Sequence, residues 1–280
     1  MSFKLNLAQQ PIALTSHHII SVKGRDARVF LQNQLMNDVY ALDNGHWQYT
    51  GILNAQGRVL ALFQLAEINS EHFLIILANL DPAWLVDYLK RFLFRSKVTI
   101  THEQEYFAQG QWSANQATFD SGHTIHPIQQ EGFILNTPDK NCIRTMQILR
   151  TPAETNLHAL DQWHMLDMVC GWPWIDEKLQ NLWTPQMLSL QNLNAFSLKK
   201  GCYPGQEIVA RTHYLGKSKR HLRTIRGLGL ENGQILLQND LEIGKIVNAN
   251  QQGDFAVVVL PIELNTEWQV QTNLSTVELL

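Results

Sequence analysis

A chain of 280 residues, 45% of them hydrophobic and 17% charged, has the length of roughly two domains and enough apolar residues to bury a sizeable core, which excludes wholesale disorder. Uncharged amides stand in for the missing charge, 25 Gln and 20 Asn, and that composition argues against a hyperthermophile source. The net charge of −3 excludes a globally basic nucleic-acid binder but leaves room for a local basic patch.

The first residues lack the basic start and long apolar core of a signal peptide. The longest apolar runs, around 73–80 and 255–260, are strand-sized and too short to span a bilayer, so a soluble cytoplasmic protein is expected. Residues 26–39 predict an amphipathic helix, with Ala27, Phe30, Leu31, Leu35 and Val39 at helical spacing. Strands over 47–53 and 58–66 follow, joined by Asn54-Ala55-Gln56-Gly57 as a hairpin. A further strand over 72–77 leads to Asp81-Pro82, a cap and first-turn proline that open a helix with Trp84, Leu85, Tyr88, Leu89, Phe92 and Leu93 on its apolar face. Residues 97–101 read as the next strand, 113–141 carry no clear period, and 155–170 predict a helix. Beyond 222, short runs (222–227, 234–237, 242–247, 255–260, 268–271 and 276–280) alternate with Gly and Asn turns. The expected fold is α+β: a body over 1–221 in two mixed lobes, and a small C-terminal β-barrel over 222–280.

Three cysteines, at 142, 170 and 202, form no C-x-x-C pair, so neither a disulfide framework nor a zinc ribbon is supported. No stably bound metal is expected from them.

Residues 199–226 hold eight bases, Lys199, Lys200, Arg211, Lys217, Lys219, Arg220, Arg223 and Arg226, against the single acid Glu207, while the rest of the chain is net acidic. Such segregation concentrates anionic ligands. A solvated basic face without a partner is the plainer alternative. Within this segment lies Lys199-Lys200-Gly201-Cys202-Tyr203-Pro204-Gly205-Gln206-Glu207. A helix beginning near Pro204, with two lysines close by, would favour the Cys202 thiolate, and Gly201 would let the backbone pass close to the sulfur. Cys202 and Lys200 are therefore the expected chemical pair, against the alternative of a cysteine packed inert beneath Tyr203. Cys142 and Cys170 are expected to be buried and unreactive.

The string K-G-C-Y-x-G-Q-E, with Gly201, Tyr203, Gly205, Gln206 and Glu207 around Cys202, resembles the signature of the YgfZ family of tRNA-modifying and iron–sulfur assembly proteins. That family is related to the folate-binding aminomethyltransferase of the glycine cleavage system. The likeness extends to Gly24-x-Asp26-Ala27, to Asn54-x-x-Gly57-Arg58, to Arg95-Ser96-Lys97-Val98, to Gly171-x-Pro173-x-Ile175-Asp176 and to Pro185-Gln186-Met187. It implies an aminomethyltransferase-like fold, three small domains in a ring around a hole that accepts tetrahydrofolate or a derivative, including polyglutamylated forms. It also implies support for iron–sulfur client enzymes, notably the one that thiomethylates tRNA.

By the same resemblance Trp163 lines the folate site. His17 stands where relatives can carry a folate-contacting aromatic. Val169 replaces a glutamate, leaving Asp167 as the substitute acceptor. Trp163, Trp172, Trp174 and Trp183 form an aromatic group suited to stacking, and the basic segment, Arg211 included, suits an anionic glutamate tail. Relatives that transfer one-carbon units carry an aspartate pair after the hairpin glycine; here Arg58, Val59, Leu60, Ala61 and Leu62 follow Gly57, so aminomethyltransferase activity is not expected. The leading reading is a folate-binding accessory factor acting through Cys202. A folate- or thiol-dependent transferase and a direct tRNA- or phosphate-binding module are the alternatives.

Overall fold

The computed structural model describes residues 10–113, 123–128, 132–137, 143–216, 218–238, 240–263, 270–271 and 276–280. After a short β1 (Ile12–Ala13), strands β2 (His17–Lys23), β3 (Trp47–Leu53), β4 (Val59–Asn69), β5 (His72–Ala78) and β6 (Thr99–His102) pair antiparallel in the order β3-β4-β5-β2-β6. Period-two alternation sends Phe63, Leu65, Phe73 and Ile75 to one face, where helices α1 (Ala27–Gln34) and α2 (Pro82–Lys90) cover them with Phe30, Leu31, Leu85 and Leu89. The other face, with Leu62, Ala66, Leu74 and Ile76, enters a second core. Both faces are dry, which is why β4 and β5 read as continuous apolar runs.

Helix α2 starts as expected: Asp81 accepts a bond from the Ala83 N–H at 2.9 Å, and Pro82 occupies the first turn. Helix α1 is shorter than expected. It stops at Gln34, Leu35 is extended, and the Met36 N–H donates to Gly51 O at 3.0 Å beside β3. Leu35 and Val39 are fully buried all the same, so the helical spacing of apolar residues reported burial beyond the helix end.

The second sheet has the order β1-β7-β10-β9-β8, with β7 (Phe107–Ser113), β8 (Ile125–Ile128), β9 (Gly132–Thr137) and β10 (Ile143–Leu149). It fills part of the region in which no element was expected. Pro127 lies in the edge strand β8, where a missing N–H is tolerated. Helix α3 (Leu157–Val169), capped by the Asn156 side chain on the Ala159 N–H, packs on this sheet. Gly110 in β7 makes room for it: a Cβ there would lie 2.6 Å from the Trp163 ring.

A final helix, α4 (Gln206–Tyr214), leads into a closed antiparallel barrel of β11 (Arg220–Arg226), β12 (Ile235–Gln238), β13 (Leu241–Ala249), β14 (Phe255–Pro261), β15 (Val270–Gln271) and β16 (Thr276–Leu279), with β16 returning to β11. Ile225, Ile246, Ala256, Val258 and Leu260 fill its interior, while Phe255, Val257 and Val259 face outward into the core of the body. Trp174 N–H donates to Asn248 Oδ1 at 3.0 Å and Asn248 Nδ2 donates back to Trp174 O at 3.1 Å, tying barrel to body. No helix among the described residues is long and apolar enough to cross a membrane.

Candidate functional site

The motif loop is mounted on the β3–β4 hairpin through two glycines. Gly205 has φ +79°, and a Cβ on it would lie 2.5 Å from Asn54 O and 2.7 Å from Gly57 Cα. Gly57 in turn has φ +69° and faces Ile208 and Gly205 O. Only glycines allow the two backbones to approach this closely in the left-handed region. The hairpin itself is stiff: Asn54 Oδ1 accepts from the N–H groups of Gln56 and Arg58, and Arg58 Nη1 donates to Leu182 O at 2.8 Å.

Lys200 is buried, 6% exposed, with its ammonium donating to Gln32 O, Leu35 O and Asn37 O at 2.5, 2.6 and 2.9 Å. It closes the frayed end of α1, satisfying carbonyls left over where the helix stops. Burial pulls its pKa down to about 8, with Asp38 acting in the opposite direction, and the donation of three hydrogen bonds requires the charged form. Tyr203 is buried too; its hydroxyl donates to Ser197 O at 3.3 Å, and burial raises its pKa to about 12. Gln206 Nε2 donates to Lys200 O at 3.0 Å, and the Lys199 and Lys200 N–H groups both donate to Ser197 Oγ. What remains outward is Gly201, Cys202, Glu207 and Arg211, all exposed, with Cys202 a free thiol.

Two expectations are corrected. Lys200 does not serve Cys202: its three N–H donors are spent on carbonyls, so none is left for a thiolate. The helix opens at Gln206 with Gly205 as its N-cap, so Gln206 and Glu207 take its early positions but Pro204 precedes its first turn instead of lying in it. The inert, packed alternative is also not what the loop adopts, since Cys202 is exposed while Tyr203 takes the buried position. Cys170 is half-buried, 3.9 Å from Arg144 Nη2; Cys142 lies outside the described residues.

A second constellation sits where the two sheets, α3 and the 172–174 segment meet. Arg144, on the core-facing register of β10, is 2% exposed. It donates to Asp167 Oδ1 at 2.9 Å and to Trp163 O at 3.3 Å, and its guanidinium lies 4.7 Å from the Trp163 ring centroid. Burial works against its charge, but Asp167 and the Cys170 and Tyr49 groups more than offset that, so it stays protonated. Next to it, Ser16 Oγ bridges His17 Nδ1 (3.2 Å) and His164 Nε2 (3.1 Å). Burial, reinforced by His164, His18 and Arg144, pulls His17 down to about 3; burial and Arg144, against Asp161, pull His164 down to about 4. Both rings are neutral at neutral pH.

His17, Arg144, Trp163, Asp167, Trp172 and Trp174 line a shared cavity of about 10 Å³. That is room for about one water, against the several hundred Å³ of a typical cofactor pocket. Three buried donors on this wall, Arg144 Nε, Trp163 Nε1 and Asn79 Nδ2, have no partner among the described residues. The donor set suits an acceptor-rich ring, but the volume does not admit one in this closed arrangement. Trp163 is packed against Arg144 and Gly110, Asp167 accepts from Arg144, and His17 bonds Ser16. Trp183 lies outside this cavity, its carbonyl accepting from Val59 N–H at 2.8 Å. Arg144, His164 and Ser16 were not anticipated; the available signal was a charged residue, Arg144, on the same strand face as Met146 and Ile148.

Comparison with known proteins accords with this geometry. The GCVT N-terminal domain model matches residues 12–113. An uncharacterized protein of Haemophilus influenzae is 30% identical over 249 residues, covering 88% of this chain and 81% of its own. The tRNA-modifying protein YgfZ of Colwellia psychrerythraea is 29% identical over 237 residues (78% and 72% of the two chains), and that of Aliivibrio fischeri 28% over 274 residues (90% and 85%). The chain belongs to the YgfZ family. The family's fold is shared with the glycine cleavage system aminomethyltransferase T of Bartonella henselae, which superposes with a TM-score of 0.70 over 95% of this chain and 83% of that one at 16% identity. In this YgfZ family member Gly205 of the motif docks on the β3–β4 hairpin, while Arg58 follows Gly57 and no carboxylate stands in the next four positions.

Proposed function

We propose that this protein supports tRNA modification as an accessory factor, with Cys202 as its working group. One observation carries the reading: Lys200, Tyr203, Gly205 and Gln206 are each committed to anchoring the loop, and among the motif residues left exposed, Lys199, Gly201, Cys202 and Glu207, the cysteine carries the thiol. A single displayed thiol cannot hold an iron–sulfur cluster by itself. It can supply one thiolate ligand to a cluster held by a client such as the tRNA thiomethyltransferase. The naming of relatives as tRNA-modifying supports that direction. The test is complementation of a deletion strain with Cys202→Ala, scoring thiomethylated tRNA and iron–sulfur enzyme activity; full restoration of both by the variant would sink the proposal.

The same reading includes a reduced folate, tetrahydrofolate or a derivative, at the lobe junction. Its support is the set of three orphaned donors and the fold shared with a folate-dependent family. The cavity of about 10 Å³ must widen to admit the folate, so binding should be slow and should quench tryptophan fluorescence. Trp163→Phe, which removes an orphaned donor and keeps the bulk, should weaken it. No quenching by tetrahydrofolate would remove the cofactor from the proposal without touching Cys202.

A further inference from the structure

Beyond the thiol lies a surface with a different chemistry. Two clefts flank the C-terminal half of α4, with volumes of about 570 and 580 Å³, and share Thr212, Ser218 and Arg220 as a common wall. Their cations are Arg211 from α4, Lys219 from the connection, and Arg220 and Arg223 from β11. Neither cleft is lined by an Asp or Glu; the remaining polar lining is hydroxyl, amide and imidazole. Arg220 is partly engaged, donating to Ile243 O at 2.7 Å. Arg211, Lys219 and Arg223 take part in none of the ion pairs among the described residues.

Complementing the α4 dipole would account for Arg211 at the helix end, but not for Lys219 and Arg223, which are not on that helix. Leu215, 83% exposed, lines one cleft, and its chain neighbour Tyr214, 68% exposed, offers an aromatic ring on which a base can stack. Two adjoining clefts with cations from separate elements are more than one anion needs, and they suit a chain of phosphates.

We propose that these clefts bind the phosphate backbone of tRNA directly, so that the protein contacts the modified RNA as well as the modifying enzyme. The proposal rests on the role in tRNA modification argued above. Binding is through Arg211, Lys219 and Arg223, with Thr212 donating to a phosphate oxygen and Tyr214 stacking nearby, while the Ser218 hydroxyl is spent on Arg220 O at 2.6 Å. It is strongly salt-dependent and indifferent to Cys202.

Fluorescence anisotropy with a labelled tRNA transcript, from about 50 to 200 mM salt, tests it. The wild type should bind with an affinity that falls linearly in log–log form. The triple variant Arg211→Gln/Lys219→Gln/Arg223→Gln should bind more than about tenfold more weakly at low salt, with a slope shallower by about two, since each lost phosphate contact removes roughly 0.7–0.9. The charge-preserving variant Arg211→Lys/Lys219→Arg/Arg223→Lys should bind nearly as the wild type, which separates lost charge from lost folding. Absence of wild-type binding at low salt, or equal binding by the neutralised variant, would overturn the proposal. Cys202→Ala should retain full RNA affinity. If it fails complementation while the neutralised variant binds RNA normally, the groove is wrong and the thiol reading stands. If the groove behaves as expected and Cys202→Ala complements fully, the reverse holds.

Discussion

Two glycines of one motif, four residues apart, should respond in opposite ways to the same added methyl group. At Gly205 the backbone is left-handed, φ +79°, which costs an alanine about 1 kcal/mol. Its Cβ would also lie 2.5 Å from Asn54 O and 2.7 Å from Gly57 Cα. Both are backbone atoms of a turn already pinned by the Asn54 side chain, so neither can rotate away, and overpacking of this kind costs about 2 kcal/mol more. Gly205→Ala should therefore lose about 3 kcal/mol, a large share of a typical 5–15 kcal/mol. At Gly201 nothing lies within 4 Å of the added carbon and φ is not positive, so Gly201→Ala should change stability by less than about 0.5 kcal/mol. Equilibrium urea unfolding of the three proteins measures both. Equal midpoints for wild type and Gly205→Ala, or a comparable loss at Gly201, would refute the docking of the loop on the hairpin.

Other outcomes follow from the same contacts. Lys200→Met keeps the aliphatic stem but leaves three carbonyls without a donor, so it should cost about 3 kcal/mol in the same urea assay, at roughly 1 kcal/mol for each. Lys200→Arg should not rescue it, because a planar fork cannot replace three converging donors. His17 and His164 hold fewer protons folded than unfolded between pH 6.5 and their lowered values of about 3 and 4. Stability should accordingly be full above pH 6.5 and fall as the pH drops through that window, by up to about 1.4 kcal/mol per pH unit for each histidine, with a shallower fall in His164→Gln. A short alkylation pulse at neutral pH, read by mass spectrometry, should label exposed Cys202 before half-buried Cys170.

Strands β3 to β5, helix α2 and the barrel strands were legible because each is a local pattern: alternation or a dry run, a capping Asp81-Pro82, turns at Gly and Asn. The limits of α1 were not, since Leu35 and Val39 keep the helical spacing while the chain is already extended. The donor that satisfies the carbonyls left at the helix end is Lys200, some 165 positions away in sequence from Leu35. Strands β7 to β9 were obscured for a related reason. Phe107–Ser113 is mostly Gln, Gly and small residues because Trp163 and the neighbouring strands supply its bulk, so the strand itself carries little apolar signal. At the site, the motif was visible but the division of labour within it was not. Lys200 looks like a charge for Cys202 in the sequence, two positions away, and only the fold shows its ammonium turned to the far side. Asp167 was likewise visible as an acceptor, while its partner Arg144 lies on β10, outside the helix that carries Asp167 and 23 positions away in sequence.

The reciprocal pair between Trp174 and Asn248 bears on how the α4–β11 seam works. The barrel could turn against the body only by breaking both of those bonds and drawing Phe255, Val257 and Val259 out of the body's core. The clefts take lining from both sides of that seam, Thr184 and Gln186 from the body, Arg220 and Arg223 from the barrel. The elements that carry their cations are thus tied together before any polyanion arrives, like a mould and not a pair of jaws. An RNA that fits would incur little cost in ordering the protein, and one whose phosphates are spaced differently would gain nothing from waiting for it to close.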